Sequence, residues 1–280
     1  MRVGILHPGE MGISIAAAAQ KGGQTVIWAS EGRSSETRAR SAKQGLEDAG
    51  TLDTLCARCA VIVSVCPPHA AEDQAQAVAA ARFSGLYVDA NAIAPRRAVR
   101  IGQAMAAAGA AFVDGSIIGG PAWTPGATTL FLAGERAAEA AACFAGSPLA
   151  TRILGAEPGQ ASALKMCFAG YGKGLTALLG AVLATAEQLG VRDELQQHWS
   201  RTDPELAKDA GRRVQGSARK AWRFTGEMDE IAATFREAGL PGGFHDAAAA
   251  LYRRLEGYKS ADAAPPLEEI LAALANGRQD

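Results

Sequence analysis

Six residues near the start of the chain, His7-Pro8-Gly9-Glu10-Met11-Gly12, join a glycine-bearing turn to the first residues of an expected helix. Gly9 and Gly12 occupy the second and third positions of the G-x-G-x-x-G spacing, and His7 occupies the first. In that spacing the second glycine lets a pyrophosphate approach the backbone, the third lets helix and strand pack closely, and the N–H groups of the helix start hold the anion. An ordinary strand–turn–helix connection is the alternative. The place of the turn, opening the first strand–helix unit, favours dinucleotide binding. A second polar group follows at the end of the next expected strand, Trp28-Ala29-Ser30-Glu31-Gly32-Arg33-Ser34. A ribose-binding Asp or Glu is expected about 20 residues beyond the turn. Ser30 stands there, Glu31 competes one place later, and Arg33 and Ser34 offer donors for a 2′-phosphate. This favours NADP, with NAD as the alternative; a solvated loop cation is the plain reading of Arg33.

The elements that must position these groups can be read from the apolar pattern. Arg2–Leu6, Thr25–Ala29, Ala60–Val65, Leu86–Ala90 and Ala111–Asp114 are short, continuously apolar runs and are expected as strands. Met11–Lys21, Ser35–Asp48, His69–Ala81 and Pro95–Ala107 are expected as the helices between them. Continuous rather than alternating runs, separated by helices, are the pattern of a parallel sheet covered on both faces. The alternation stops near Gly155-Ala156-Glu157-Pro158. Beyond it lies one long apolar stretch, Gln160–Leu189, then helical segments near Pro204–Ala221, Glu227–Ala238, Phe244–Leu255 and Leu267–Ala275. The expected architecture is α/β: a Rossmann-type doubly wound domain over residues 1–157, followed by an all-helical substrate and dimerisation domain over 158–280. The site is expected where the carboxyl edge of the sheet meets the long helix.

Composition excludes other classes. With 48% hydrophobic and 20% charged residues the 280-residue chain has material for a core, against disorder. A net charge of −1 argues against a nucleic-acid partner and gives no reason for a membrane partner. The apolar start is too short for a signal peptide, and charges or glycines interrupt every long apolar run, so a cytoplasmic protein is expected. Five cysteines with no export signal read as free thiols. Cys56-Ala57-Arg58-Cys59 lacks a second pair for zinc, so no metal is expected.

These motifs resemble the 3-hydroxyacid dehydrogenase and 6-phosphogluconate dehydrogenase superfamily, and more narrowly its NAD(P)-binding oxidoreductases with a short helical C-terminal domain. The resemblance runs through Gly9–Gly12, Val63–Pro68, Val88–Pro95, Phe112–Pro121, Gly159–Lys165, Lys220–Met228 and Gly239–His245. It implies that Gly9, Glu10, Met11 and Gly12 lie along the pyrophosphate, that Cys66 and Pro67 flank the cofactor, and that Asn91 sits near the nicotinamide ribose. It implies that Gly119 and Gly120 bind the substrate's polar head, and that Lys165 is the catalytic lysine. Hydride transfer at an alcohol carbon moves a proton on or off the oxygen, so a donor and acceptor must lie within hydrogen-bond reach of it. A partly desolvated lysine can serve.

The sequence departs from the superfamily in three places. Ala169 stands one turn beyond Lys165 where the hydroxyacid dehydrogenases carry asparagine, and with Gly172 it gives the lysine's helix face small residues. A substrate bulkier or less polar than a short hydroxyacid is expected. Ile118 replaces the serine before the glycine pair, leaving Ser116 as the hydroxyl to orient the substrate. Gly170, Gly172 and Gly174 interrupt the helix at about 1 kcal/mol each relative to Ala, which suggests close approach of a ligand or a second helix. Tyr171 and Lys173 between them are secondary site candidates. His245 is read as buried or capping, and Trp123 as lining a cleft or packing. The expected protein is an NADP(H)-dependent dehydrogenase or reductase and a homodimer. Reduction of C=N bonds, or non-catalytic NADPH sensing, are the alternatives.

Overall fold

The computed structural model describes residues 1–261 and 263–276, so the last four positions of the expected second domain lie outside the described residues. The chain forms two compact units, Met1–Met166 and Cys167–Asp280. In the first unit, eight strands make one sheet: β1 (Arg2–Ile5), β2 (Thr25–Trp28), β3 (Glu47–Asp48), β4 (Val61–Ser64), β5 (Leu86–Asp89), β6 (Ala111–Gly119), β7 (Thr128–Ala133) and β8 (Ala150–Gly155). Their order is β3-β2-β1-β4-β5-β6-β7-β8. The first six follow the doubly wound order, whose direction reverses between β1 and β4. All pairings are parallel except β6 with β7.

Residue alternation along the strands feeds two cores. Val3 and Ile5, Val26 and Trp28, Val61 and Val63, and Leu86 and Val88 point to one face, against Ile13, Ile15 and Ala19 of α1 (Glu10–Lys21) and Phe144. Leu6, Ile27, Ile62 and Tyr87 point to the other. There they meet Leu55 of α3 (Leu52–Arg58), Val78 of α4 (Ala71–Ala80) and Ile101 and Met105 of α5 (Pro95–Ala107). Burial on both faces explains why the central positions of these strands are apolar without alternation, with the polar residues Arg2, Thr25, Ser64 and Asp89 confined to strand ends.

Several elements differ from the sequence expectation, among them α3, β7 and the helix Arg192–Thr202, for which no element was expected. The helix expected to run to Asp48 ends early, as α2 (Ser35–Lys43), and Glu47–Asp48 forms the edge strand β3. Gly45, at φ +70°, makes the break. The strand expected over Ala111–Asp114 continues to Gly119, because β7 returns alongside it. β8 gives no apolar signal because it is an edge strand with mostly exposed side chains. α6 (Ala137–Ala142) lies between β7 and β8.

The second unit is helical. It contains most of α7 (Gln160–Gln188), then α8 (Arg192–Thr202), α9 (Pro204–Ala218), α10 (Ala221–Glu237), α11 (Gly243–Arg253) and α12 (Leu267–Ala275). α10 packs on α11, and α9 on α12. The glycines of α7 now have a reason. A Cβ at Gly170 would lie 3.2 Å from Ile231 and 3.4 Å from the His245 ring, and one at Gly174 would lie 3.1 Å from the Phe244 ring. The seam admits α10 and α11. Gly172 faces open space. By length and composition α7 could cross a membrane, with a mean hydropathy of 1.4 over its most apolar window, 44% of that window being buried within the protein.

Candidate active site

The turn after β1 is built by the His7 carbonyl. It accepts the Gly9 N–H at 2.8 Å. A Cβ on Gly12 would stand 1.9 Å from that oxygen, so only glycine fits there. Gly9, by contrast, faces open space: a Cβ there would have no protein atom within 4 Å. Among the described residues no side chain caps α1, so the amides at Glu10, Met11 and Gly12 are left for a ligand. The Ser14 hydroxyl ties this turn of helix to the rest of the unit, donating to the Met11 carbonyl at 2.8 Å and accepting the Ala122 N–H at 3.0 Å. This cradle has the shape and donors an anionic dinucleotide requires.

One cation reaches the cradle from α2, and two more lie in and after the loop that follows β2. Arg40 Nη1 donates to the Pro8 carbonyl at 3.1 Å. Arg33, in the loop after β2, keeps its Nε shielded from solvent with no hydrogen-bond partner among the described residues. Arg38 Nε donates to the Arg33 carbonyl at 3.2 Å. Ser34 is engaged elsewhere: its hydroxyl accepts the Thr37 N–H at 3.3 Å and caps α2. Ser30 is buried, and its hydroxyl helps hold the Asp48 carboxyl below its usual range.

At the carboxyl ends of β4 and β5 a buried polar network joins two of the expected cofactor residues. Asn91 Oδ1 accepts the Cys66 N–H at 2.6 Å, Asn91 Nδ2 donates to the Ser64 hydroxyl at 3.2 Å, and the Asn91 N–H donates to Asp89 Oδ1 at 2.9 Å. Pro67 follows at once and leads into the turn Pro68–Ala70. Burial pushes the Asp89 carboxyl up to about 7, with the charge of Asp114 adding to it. Burial, and then Asp89, push the Cys66 thiol up to about 12, so it is no nucleophile at neutral pH. The paired thiols are equally quiet: Cys56 is raised to about 11 and Cys59 to about 12, mainly by burial.

The start of α7 is fixed by a residue the sequence motifs did not single out. Asp114 Oδ2 on β6 accepts the Gly159 N–H at 2.8 Å and the Ser162 N–H at 3.0 Å, while Oδ1 accepts the Ser162 hydroxyl at 2.6 Å. It caps the helix across 45 residues of chain. Burial outweighs these bonds and raises its pKa above the usual carboxyl value. One turn beyond Ser162, half-buried Lys165 donates from Nζ to the Ile117 carbonyl at 2.8 Å. That carbonyl precedes Gly119 by two residues. Gly119 has φ +122°, and a Cβ there would lie 2.2 Å from the Ala127 carbonyl. The Thr128 hydroxyl donates to the Gly120 carbonyl at 2.6 Å. Ser116, on the same strand, is fully buried, and its hydroxyl has no partner among the described residues.

The secondary candidates separate. Lys173 is ion-paired with Glu227 and lies over the Phe224 ring at 4.5 Å; burial lowers its pKa. Its carbonyl accepts the Tyr252 hydroxyl at 2.8 Å, so this group ties α7 to α10 and α11. His245 is buried with its ring 4.4 Å from that of Phe235. Tyr171 and Trp123 are exposed. A carboxyl buried after an apolar strand, as in Val88-Asp89 and Val113-Asp114, was the available signal for the two missed acids.

Asp89 yields a test in pH. Its folded pKa, about 7, lies above the ordinary carboxyl value, so its contribution to stability is full below about pH 4 and is lost as pH rises toward and through 7. Asp89→Asn keeps the acceptor for the Asn91 N–H and removes that loss. The variant is expected to be more stable than the parent above pH 8, on the order of 2–4 kcal/mol, and level with it near pH 4, read by urea denaturation.

Comparison with known proteins agrees with this geometry. Residues 2–144 match the NAD binding domain of 6-phosphogluconate dehydrogenase, and residues 186–255 match a domain of unknown function, DUF1932. No curated protein matches by sequence. Among solved structures, the chain is similar to the conserved protein MTH1747 of unknown function, described as structurally similar to 3-hydroxyacid dehydrogenases (26% identity, TM-score 0.69, covering 92% of this chain and 98% of that one). It shares its fold with the Mycobacterium tuberculosis 3-hydroxyisobutyrate dehydrogenase solved with L-serine (16%, TM-score 0.71, 98% of each chain). It also shares it with the Aspergillus terreus reductive aminase solved with NADPH and ethyl levulinate (18%, TM-score 0.55, 96% and 98%). With its Rossmann sheet, glycine-bearing cradle and matched N-terminal half, the chain belongs to the family of the 6-phosphogluconate dehydrogenase NAD-binding domain.

Proposed function

We propose that this protein is an NADP(H)-dependent oxidoreductase acting on an alcohol/carbonyl pair, with Lys165 as the general acid/base. The observation that carries the reading is the Lys165 ammonium, held at 2.8 Å on the Ile117 carbonyl beside the Gly119–Gly120 backbone. Bound NADP(H) supplies the hydride donor or acceptor. The chain's own residues do the rest. Gly9, Glu10, Met11 and Gly12 bind the pyrophosphate, and Arg33, with Ser30 and Ser34 beside it, takes the adenosine ribose end. Cys66, Pro67 and Asn91 position the nicotinamide half. Ser116, Gly119 and Gly120 orient the substrate, and Lys165 gives a proton to the carbonyl oxygen during reduction or takes it during oxidation.

A second copy of the chain completes this reading. On α7, Leu164, Phe168, Tyr171, Leu175, Leu178 and Val182 fall on one seam of alternating four- and three-residue spacing. Phe168, Tyr171 and Leu178 are exposed by 58%, 76% and 44%. An apolar seam of 3.5-residue period suits a helix of the same kind across a two-fold axis.

Two experiments test these statements. On any aldehyde or ketone the parent reduces, Lys165→Met is expected to lower kcat by about 10²–10⁴ while NADPH binding by fluorescence is unchanged. Unimpaired carbonyl turnover overturns the lysine's role; unimpaired turnover confined to imines favours C=N reduction, and tight NADPH binding without turnover of any substrate by the parent favours a sensor. Light scattering is expected to give twice the chain mass for the parent and a single chain mass for Leu178→Glu. A monomeric parent contradicts the seam.

A further inference from the structure

His7 stands where the dinucleotide spacing has its first glycine, and the proposed mechanism leaves it without a task. The backbone there behaves as the glycine's would: its carbonyl closes the turn on Gly9 at 2.8 Å and lies against Gly12. Only the side chain departs. Its Nδ1 is shielded from solvent with no hydrogen-bond partner among the described residues, and so is Nε of Arg33. β1 and β2 pair in parallel with Ile5 opposite Trp28, so the turns carrying the two groups leave the same edge of adjacent strands, and the imidazole feels the guanidinium charge. Buried polar atoms left without partners are costly, and two of them in the turns after adjacent strands, one of those turns the cradle, mark a place for a ligand that would pair both.

The charges around the imidazole define that ligand. Arg33 comes from the loop after β2, and Arg40 of α2 reaches over to the Pro8 carbonyl. The Arg33 guanidinium also feels Cys66, whose raised pKa keeps its thiol neutral. Glu10 is exposed at the start of α1. Burial first, and then Arg33, hold the imidazole neutral, down to about 4. The pair therefore presents one fixed cation and one latent one. A dianionic group between them would accept from Arg33 and raise the proton affinity of His7. The end of β2 is where a dinucleotide's adenosine ribose lies.

We infer that His7 is a specificity residue: its imidazole and the Arg33 guanidinium together bind the 2′-phosphate of the cofactor, and His7 takes a proton from solvent as the phosphate docks. This rests on the NADP(H) reading above and adds to it a residue that distinguishes the phosphorylated from the plain ribose.

The probes are adenosine 2′,5′-bisphosphate and adenosine 5′-monophosphate, titrated calorimetrically near pH 6.5 in two buffers of different ionisation enthalpy. The parent is expected to prefer the bisphosphate and to take up a fraction of a proton with it but not with the monophosphate. His7→Gly restores the glycine and is expected to weaken the bisphosphate by about 10–100-fold with little change for the monophosphate. It should also abolish the uptake. His7→Gln, which keeps size and a hydrogen bond, is expected to retain part of the affinity and none of the uptake. Unchanged preference in His7→Gly, or unchanged uptake in both variants, overturns the inference while leaving NADP(H) binding intact. A parent that binds both nucleotides equally overturns the NADP(H) reading itself, and the inference with it.

Discussion

A single carboxylate fixes where the long helix begins. Asp114, buried at the heart of β6, receives the Gly159 and Ser162 amides and the Ser162 hydroxyl. Hydrogen bonds to a charged acceptor contribute about 1.5–3 kcal/mol each, and an unpaired buried carboxylate costs comparably or more. The exchange is therefore all or nothing: the first turn of α7 sits on this acid or the acid is stranded. Because Lys165 lies three residues beyond Ser162, the cap also sets how far the lysine's amine reaches along β6, to the Ile117 carbonyl at 2.8 Å.

The same economy recurs at the other strand ends. Asp89 anchors the Asn91 amide, and Asn91 in turn holds the Cys66 amide and the Ser64 hydroxyl. Two acids on adjacent strands, each raised by burial, thus organise two loops at the carboxyl edge. Neither faces solvent. Their task is to hold backbone and side-chain donors in place, so that the groups offered outward are amides, a lysine and arginines. That set suits an anionic cofactor and a polar oxygen. His7 is the exception, a neutral group at the cradle whose charge state a ligand can change.

How much of this was legible depends on where the signal resides. The doubly wound half was readable because strands buried on both faces carry runs of adjacent apolar residues and Gly12 admits no side chain. β8 was not, since an edge strand with exposed Ile153 and Leu154 shows neither period nor run. The end of α2 was missed because propensity alone does not place a break that Gly45 makes by its backbone angle. Among the site residues, Ser34 looked like a free hydroxyl, yet local geometry commits it to Thr37. Gly170 and Gly174 suggested close approach, and the approaching groups proved to be Ile231, Phe244 and His245. Asp114 shows in the sequence only as an acid following apolar residues; its cap on α7 does not show, because the partners lie more than 40 residues away.

The dependence of the helix start on that acid can be read directly from amide hydrogen exchange at Gly159 and Ser162, compared between the parent and Asp114→Asn. The account predicts strong protection of both amides in the parent and its loss in the variant by at least about tenfold, corresponding to one charge-assisted bond, with the amides of β1, β4 and β5 unchanged. Equal protection of both amides in the two proteins would contradict it.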